Sequence, residues 1–299
     1  MNLMMTSLIW NVPDVVLGGT MNKEYIWKLE DLKKVRKNGL KVFSCFACGG
    51  GSTMGYKLAG FDVIGDNEID PKINAVYVKN HNPKYNFNLD IRDLINWDLP
   101  GELYNLDILD GSPPSSVLRV FYGRKKRKRS GNWKTIQRRT KKQRLDDLFF
   151  YFIDLAKKLK PKVIVAENVK GLICKKSKGY VNEILKHFEK AEYDVQIFLL
   201  NSAKMGVPQT RERTFFIARR EDLGLPKIKL EFNENPITYG EFKDTSFKPL
   251  HKDTDGYKYW HLKKSSDTSL RDTILGETGK NKRFNDIYIK DSIVCGTVV

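Results

Sequence analysis

Residues Lys41–Asp70, KVFSCFACGGGSTMGYKLAGFDVIGDNEID, constrain the fold more than any other stretch of this chain. A β-branched apolar run leads into three glycines, an amphipathic segment follows, and a second apolar run precedes Asp70. This order predicts a strand, a tight glycine turn, a helix and a second strand. Glycines let the backbone approach a ligand closely and expose amides at the helix N-terminus. We therefore expect a nucleotide-like cofactor at Gly49–Gly51, with Glu68 accepting hydrogen bonds from a ribose diol.

The remainder of the chain continues this alternation. Strands are predicted at 39–46, 61–65, 89–91, 106–109, 162–166, 195–200 and 214–218, and helices at 54–60, 71–81, 145–159 and 181–191. The pattern predicts an α/β fold with a doubly wound, Rossmann-like, mostly parallel sheet. Ligands of such sheets bind at the carboxyl ends of the strands. We therefore expect the glycines, Glu68, Asp90, Pro113 and Glu167 to meet at that edge.

The composition changes twice along the chain, which predicts three segments. Residues 1–39 are interpreted as an N-terminal leader and residues 40–220 as the cofactor-binding domain. From Glu221 onward, prolines interrupt a polar region that has weak periodicity. Residues 221–299 are therefore predicted to form a second, smaller domain.

The charge distribution is uneven. A formal net charge of +17 favours a polyanionic partner such as nucleic acid. Thirteen Lys or Arg and no Asp or Glu lie between Ser115 and Arg144, so one segment accounts for thirteen of the seventeen net charges. Four cysteines and no evident signal peptide predict a reducing, cytoplasmic compartment. No apolar run reaches the roughly 18 residues of a membrane span, so no membrane partner is expected.

The spacing Cys45-x-x-Cys48 is compatible with redox or metal chemistry. No second cysteine pair or nearby histidine completes a zinc site, so we interpret both thiols as buried and structural and expect no metal. The glycine turn lacks a strict G-x-G-x-x-G pattern, which disfavours NAD as the cofactor.

Two later motifs carry further polar groups. Glu167-Asn168-Val169 follows a buried strand, where a carboxyl serves as an acid of raised pKa or as a hydrogen-bond partner. The alternative is a helix-capping Asn beside a bystander Glu. Gln209-x-Arg211-x-Arg213 places two guanidinium groups on one side of a strand, which suits phosphate or base contacts. The alternative there is an ordinary solvated strand end.

Taken in order, these motifs resemble the signature blocks of DNA (cytosine-5) methyltransferases. The blocks are 46–55, 67–70, 90–91, 111–114, 167–169 and 209–213, and the resemblance covers about residues 27–220. It implies a Rossmann-like methyltransferase sheet with a partial target-recognition region at 221–299. It also implies S-adenosylmethionine as cofactor, double-stranded DNA with a flipped cytosine as partner, and a cytoplasmic protein of bacterial or phage origin, from a restriction-modification system or a phage.

The resemblance assigns roles by position. Phe46 is expected to pack against the adenine, and Asp90 to reach the adenine amino group, beside the ribose contact of Glu68. Glu167 is expected to stabilise protonation at N3 of the cytosine. The other cofactor contacts that it implies are Gly49, Gly50, Gly51, Ile69, Ile91 and Pro113. The two residues expected to hold the flipped nucleotide are Arg211 and Arg213.

The nucleophile of the family is absent. In the family a Cys thiolate after Pro-Pro adds to C6 of the base, so that C5 becomes nucleophilic and attacks the methyl group. Here Pro113-Pro114 is followed by Ser115. A hydroxyl is a far poorer nucleophile than a thiol at neutral pH, so we expect this chain to be inactive or impaired.

The segment after Ser115 also departs from the family. Residues 117–142 are strongly basic, whereas the family loop is Gly-rich and mixed in charge. Back-translation with A-rich codons and a one-base shift gives MAGKREKEVGIGKQFREGQK, which resembles that loop. We therefore hypothesise that a pair of compensating frameshifts wrote residues 115–142. The alternative is a DNA-binding basic run.

Two further departures leave the function open. Cys48 stands where the usual F-x-G-x-G has a glycine, and no closing block of the Asn-Ala-Val-Pro-Pro type is found. We expect that block to be missing or supplied by a second polypeptide, as in split methyltransferases. The alternatives are a non-catalytic remnant that binds DNA or cofactor, and a small-molecule methyltransferase with the same cofactor fold, which the order of the motifs disfavours.

Overall fold

The computed structural model describes residues 29–114, 147–174, 177–232, 234–243, 251–281 and 287–296. They fall into two compact units. The described residues of Lys28–Leu200 and Glu212–Glu231 form the first unit, and those of Asn201–Arg211 and Phe232–Val299 form the second.

The first unit is built on a seven-stranded sheet in the order β3-β2-β1-β4-β5-β7-β6. The strands are β1 Lys41–Cys45, β2 Asp62–Asn67, β3 Tyr85–Phe87, β4 Ile108–Gly111, β5 Val163–Val169, β6 Tyr193–Asn201 and β7 Glu212–Arg220. Strands β1 to β5 pair in parallel, and β7 pairs with β5 in antiparallel orientation. The predicted α/β, mostly parallel sheet is confirmed.

Helices cover both faces of this sheet. They are α1 Gly51–Leu58, α2 Pro71–His81, α3 Ile91–Leu94, α4 Leu148–Leu159 and α5 Lys178–Lys190. The larger core cluster joins α3, α4 and α5 to one face through side chains such as Leu94, Phe152 and Phe188. The smaller cluster lies on the face covered by α1, where Tyr56 packs beside Val42 and Ile108. This two-faced burial explains why the strands are apolar at successive positions.

One predicted strand is wrong. The third strand was expected at 89–91, but the strand ends at Phe87, and Asp90 is the N-cap of helix α3. The Asp90 carboxylate accepts a hydrogen bond from the Arg92 amide at 3.0 Å. An Asp side chain satisfies a free amide at a helix start, and this local interaction outweighs the β-propensity of the neighbouring Leu and Ile.

The second unit contains short helices, α6 Tyr239–Phe242, α7 Asp255–Trp260 and α8 Leu270–Thr278. Helix α6 starts with a capping box formed by Thr238 and Glu241. Gln209 pairs with Cys295 in an isolated parallel bridge. These contacts show that residues 201–211 fold with the C-terminal part of the chain, whereas the sequence pattern assigned them to the first domain. The functions assigned to both domains stay predictions.

Candidate cofactor and catalytic site

The strand register brings the predicted motifs to one edge of the first unit. Four residues stand side by side at the same level of the sheet, namely Asn67, Cys45, Gly111 and Ala166. The residues that follow each of them in the chain are Glu68, Phe46, Ser112 and Glu167. Because these strands are parallel, all four lie at the carboxyl edge, where ligands of such sheets bind.

The loop from Phe46 to Gly50 connects β1 to α1 through unusual backbone angles. Phe46, Cys48 and Gly50 all have positive φ, at 52°, 48° and 87°. A Cβ at Gly50 would lie 2.0 Å from Nε2 of His81, so a larger residue does not fit there. Ideal Cβ atoms at Gly49 and Gly51 would meet nothing within 4 Å, so these two glycines border open space. Cys48 holds a left-handed conformation that glycine adopts without strain.

Glu68 is the residue that closes this loop onto the sheet. One carboxylate oxygen accepts the Cys48 amide at 2.9 Å, and the other accepts the Asp70 amide at 2.9 Å. The side chain is held in one orientation at the end of β2, and Asp70 in turn caps helix α2. Each oxygen retains a lone pair, so a fixed carboxylate of this kind can still accept two hydroxyl donors.

The cysteine at the end of β1 and the cysteine in the loop differ in burial. Cys45 is buried, as expected for a structural thiol. The prediction that Cys48 is also buried is wrong, because the left-handed turn directs it to solvent. Partial burial and the adjacent Glu68 carboxylate raise the pKa of the Cys48 thiol. The thiol is therefore protonated at neutral pH and is a poor nucleophile.

Three residues expected near the adenosine part of the cofactor, Phe46, Ile69 and Ile91, differ in their exposure to solvent. Phe46 is half-buried, with its ring centroid 6.4 Å from that of Phe152. The Ile69 side chain is 53% exposed and offers an apolar surface beside Glu68. Ile91 is 2% exposed and belongs to the core, which leaves its backbone as the part able to reach a ligand.

The Asp90 carboxylate already has a partner. Nε and Nη2 of Arg92 donate to its two oxygens at 2.9 and 2.5 Å, and hydrogen bonding to Arg92 lowers the pKa of Asp90. Asp90 is therefore ionised at neutral pH. Oδ1 also accepts the Arg92 amide, so the lone pair that remains available as an acceptor is on Oδ2.

Pro113 is fixed by a side chain of the neighbouring strand. Nδ2 of Asn168 donates to the Pro113 carbonyl at 3.0 Å, and Asn168 is 4% exposed. Asn168 thus positions the Pro113-Pro114 segment instead of capping a helix. In DNA (cytosine-5) methyltransferases the catalytic residue follows this segment. Ser115 itself lies outside the described residues, as does the basic run that follows it.

Glu167 and Arg213 form an ion pair at the same edge. Nε of Arg213 lies 2.9 Å from Oε1 of Glu167, and both side chains are partly exposed. Arg213 is thereby aimed at the strand end rather than at bulk solvent. Arg211 belongs to the second unit and is exposed.

Two buried carboxylates, Asp66 and Asp110, were not predicted from the sequence. Asp66 is fully buried in β2, and Asp110 is 6% exposed in β4. Burial raises the pKa of each to about 6. The available signal was an Asp directly after each of the predicted strands 61–65 and 106–109, where an apolar-run criterion ends the strand.

The part of the chain that the structure describes contains no group of three or more His, Cys, Asp or Glu able to hold a metal ion. Among the helices of that same part, none is long and apolar enough to span a membrane.

Comparison with known proteins connects this geometry to one family. The family model of C-5 cytosine-specific DNA methylases matches residues 40–294. The type II methyltransferase M.FnuDI of Fusobacterium nucleatum is 34% identical over 204 residues, which are 68% of this chain and 53% of that protein. The type II methyltransferase M.NgoPII of Neisseria gonorrhoeae is 32% identical over 195 residues, 65% of this chain and 51% of that protein. The chain thus spans about half the length of these curated relatives.

A solved structure supports the fold. A protein encoded within a prophage of E. coli and described as a DNA modification methyltransferase superposes with a TM-score of 0.50 at 21% identity. The match covers 74% of this chain and 64% of that one.

Proposed function

Because the chain belongs to the family of C-5 cytosine-specific DNA methylases, we propose that its first unit binds S-adenosylmethionine and that its ancestral reaction is methyl transfer to C5 of cytosine in DNA. The observation that carries the cofactor proposal is Glu68, whose carboxylate is locked by two backbone amides at the carboxyl edge of the sheet. A carboxylate held in this way is suited to a ribose diol.

The residues present fit this cofactor. Glu68 offers acceptors for the ribose, Ile69 offers an exposed apolar surface for the adenine, and Phe46 lies beside them at the end of β1. Gly49 and Gly51 leave space for the backbone to approach a ligand. When bound, S-adenosylmethionine supplies an electrophilic methyl group. The protein would bind its adenosine part, exclude water and orient it through Asp90, Ile91 and Pro113.

The same edge provides groups for a flipped cytosine. We assign Glu167 to the proton at N3 of the base, because its carboxylate is held toward the strand end by Arg213. Arg213 has further donors for a phosphate. Arg211 belongs to the second unit and is exposed, and its contact with the flipped nucleotide stays a prediction. Double-stranded DNA is thus the proposed partner, and the second unit is the proposed target-recognition region. A second polypeptide that supplies the closing block stays a prediction.

Turnover is proposed to be impaired. The family mechanism needs a thiolate after Pro-Pro, and this chain carries Ser115 there. The exposed thiol of Cys48 does not replace it, since the pKa of Cys48 is raised and its thiolate is scarce at neutral pH. We therefore favour a protein that retains the cofactor site and has lost efficient catalysis. A restriction-modification system or a phage is the proposed source of such a chain.

Two measurements on the full chain test the proposal. Isothermal titration calorimetry with S-adenosylmethionine should show binding, and the Glu68→Ala variant should lose it while Glu221→Ala, an exposed carboxylate elsewhere, should not. Transfer of a labelled methyl group to cytosine-containing DNA should be undetectable. Absence of binding would refute the cofactor site, whereas labelling of DNA by the unmodified chain would refute the impairment.

Sequencing of the gene tests the origin of residues 115–142. A single-base shift that yields the family loop is expected in the codons between Gly111 and Gln143. If no such shift exists, the frameshift hypothesis is wrong and the basic run is an encoded feature of the protein.

A further inference from the structure

One buried carboxylate joins the two ends of the glycine loop. Oδ2 of Asp110 accepts the hydroxyl of Ser44 at 3.0 Å and that of Ser52 at 2.9 Å, and Oδ1 accepts the hydroxyl of Tyr56 at 3.3 Å. Ser44 lies in β1 just before the loop, while Ser52 and Tyr56 lie in α1 directly after it. A single side chain therefore fixes the strand and the helix between which residues 46–50 are suspended.

The same residue is close in the chain to the segment that carries catalysis in the family. Asp110 precedes Pro113 by three positions, and β4 is the strand that pairs with β1. In the described part of the chain its partners are hydroxyls, and no Lys or Arg forms an ion pair with it. Burying an ionised carboxylate without a cation costs desolvation free energy, which an apolar contact between strand and helix would not cost. A buried carboxylate at this position therefore indicates a role that an apolar side chain cannot fill.

We propose that Asp110 is a positioning residue that holds the glycine loop against β4 and thereby sets the affinity for the cofactor. The inference rests on the proposed function of the loop as an S-adenosylmethionine site. Asp110 does not touch the ligand in this account. It acts through Ser44, Ser52 and Tyr56, whose hydroxyl groups point to its two oxygens.

Charge is the property that distinguishes Asp110 from an amide. Hydrogen bonds to an ionised acceptor are about twice as strong as neutral ones. An Asn can accept from the two serines, but only as a neutral group, and its amide nitrogen takes the place of the second oxygen. A Leu of similar size accepts nothing and leaves all three hydroxyls without this partner.

The test measures S-adenosylmethionine affinity by calorimetry at pH 8 for the full chain and three variants. We expect Asp110→Asn to weaken binding about fivefold, because its remaining hydrogen bonds are neutral. Asp110→Leu should weaken binding more than about tenfold, because all three hydrogen bonds are lost. The matched control is Asp107→Asn, directly before the start of the same strand, where the carboxylate accepts the Lys41 amide at 2.7 Å and pairs with Lys162. The control should bind within about twofold of the unmodified chain.

A pH series separates positioning from a merely structural role. Burial raises the pKa of Asp110 to about 6, with the charge of Glu167 in β5 adding to the shift. Other titratable groups that feel Asp110 are Cys45, Tyr56 and Tyr77, all with raised pKa values and neutral in this range. The affinity ratio between the unmodified chain and Asp110→Asn should fall from about fivefold at pH 8 toward one at pH 5. Titration of Asp66 occurs in both proteins and cancels in this ratio.

The outcomes are distinct. If the unmodified chain does not bind the cofactor, both the proposed function and this inference are overturned. If it binds, and Asp110→Leu binds equally well, the inference alone is overturned. A ratio that stays constant from pH 5 to pH 8 also refutes it, because a charge-independent effect would then explain the loss. Thermal melting of each variant at pH 8 should show a folded protein, since an apolar residue at this buried site removes a desolvation cost.

Discussion

The backbone of Cys48 gives the most quantitative prediction. Its φ of 48° lies in the left-handed region, where a Cβ costs about 1–2 kcal/mol. Glycine has no such strain, but its larger loss of backbone entropy on folding costs about 0.5–1 kcal/mol relative to alanine. Replacing an alanine at position 48 by glycine should therefore stabilise the fold by about 0–1.5 kcal/mol, the difference between these two effects.

Comparison of Cys48→Ala with Cys48→Gly isolates the Cβ, because both variants remove the thiol that lies beside Glu68. The matched control is Cys174, an exposed cysteine of the same unit with an ordinary φ of −70°. There the change from Ala to Gly should destabilise the protein by about 0.5–1 kcal/mol. The two sites should thus differ by about 1–2 kcal/mol, which equals the strain itself.

The assay is urea denaturation of the four variants at pH 7.5, followed by tryptophan fluorescence and circular dichroism. Both probes are needed because a chain with two units need not unfold in one step. If Gly and Ala variants differ equally at positions 48 and 174, the left-handed geometry of Cys48 is not strained and the reasoning fails. Agreement would explain physically why the resembling family has glycine at this position.

Three further predictions concern the same site. Gly50→Ala should destabilise the protein by about 2 kcal/mol or more in thermal denaturation, since its Cβ would meet His81 and its φ is 87°. Adding His81→Ala should recover the steric part and leave about 1 kcal/mol of backbone strain. Asp66 is fully buried with a pKa raised to about 6, so its protonated form contributes stability below pH 4 that is lost as the pH rises through 6. Urea denaturation should therefore find Asp66→Asn more stable than the unmodified chain by about 2–3 kcal/mol at pH 8 and equal to it at pH 4. Glu68→Gln replaces one of the two carboxylate oxygens that accept backbone amides by an NH2 group, which can only donate. Calorimetry should show the affinity for S-adenosylmethionine reduced about tenfold or more. A Gly50→Ala variant as stable as the unmodified chain, an Asp66→Asn variant no more stable than it at pH 8, or a Glu68→Gln variant of equal affinity would contradict the respective prediction.

The fold was largely predictable because its strands are apolar and its helices begin at recognisable residues. Helix α2 was predicted with the bounds Pro71–His81 that the structure shows, since Asp70 caps it and Pro71 suits the first helical position. Helix α1 begins at Gly51 rather than at the predicted Met54. A run of glycines carries no helical pattern, and Gly50 in a left-handed conformation fixes this start through tertiary contacts instead.

The candidate site was predictable as far as it depends on strand ends. Glu68 and Glu167 could be placed at one edge because the carboxyl ends of parallel strands coincide. The ion pair of Glu167 with Arg213 was not predictable, since it depends on β7 running antiparallel to β5. The Arg92 side chain on Asp90 was missed for a related reason, because the segment forms a capped helix rather than a strand.

Asp107 and Asp110 show why sequence patterns did not reveal the hydrogen bonds between β4 and α1. Asp107 immediately precedes β4 and Asp110 lies within it, yet Asp107 contacts a backbone amide and a lysine at one end of the strand, whereas Asp110 contacts hydroxyls near the other end. A pKa raised from 3.8 to about 6 means that ionised Asp110 costs the folded state about 3 kcal/mol at neutral pH. An apolar residue would avoid that cost, and natural chains keep such costs mainly where function requires them. Ionised Asp110 thus lowers the stability of the fold near the carboxyl edge of the sheet. The loop that Asp110 holds there is the part of the molecule that would bind the proposed cofactor.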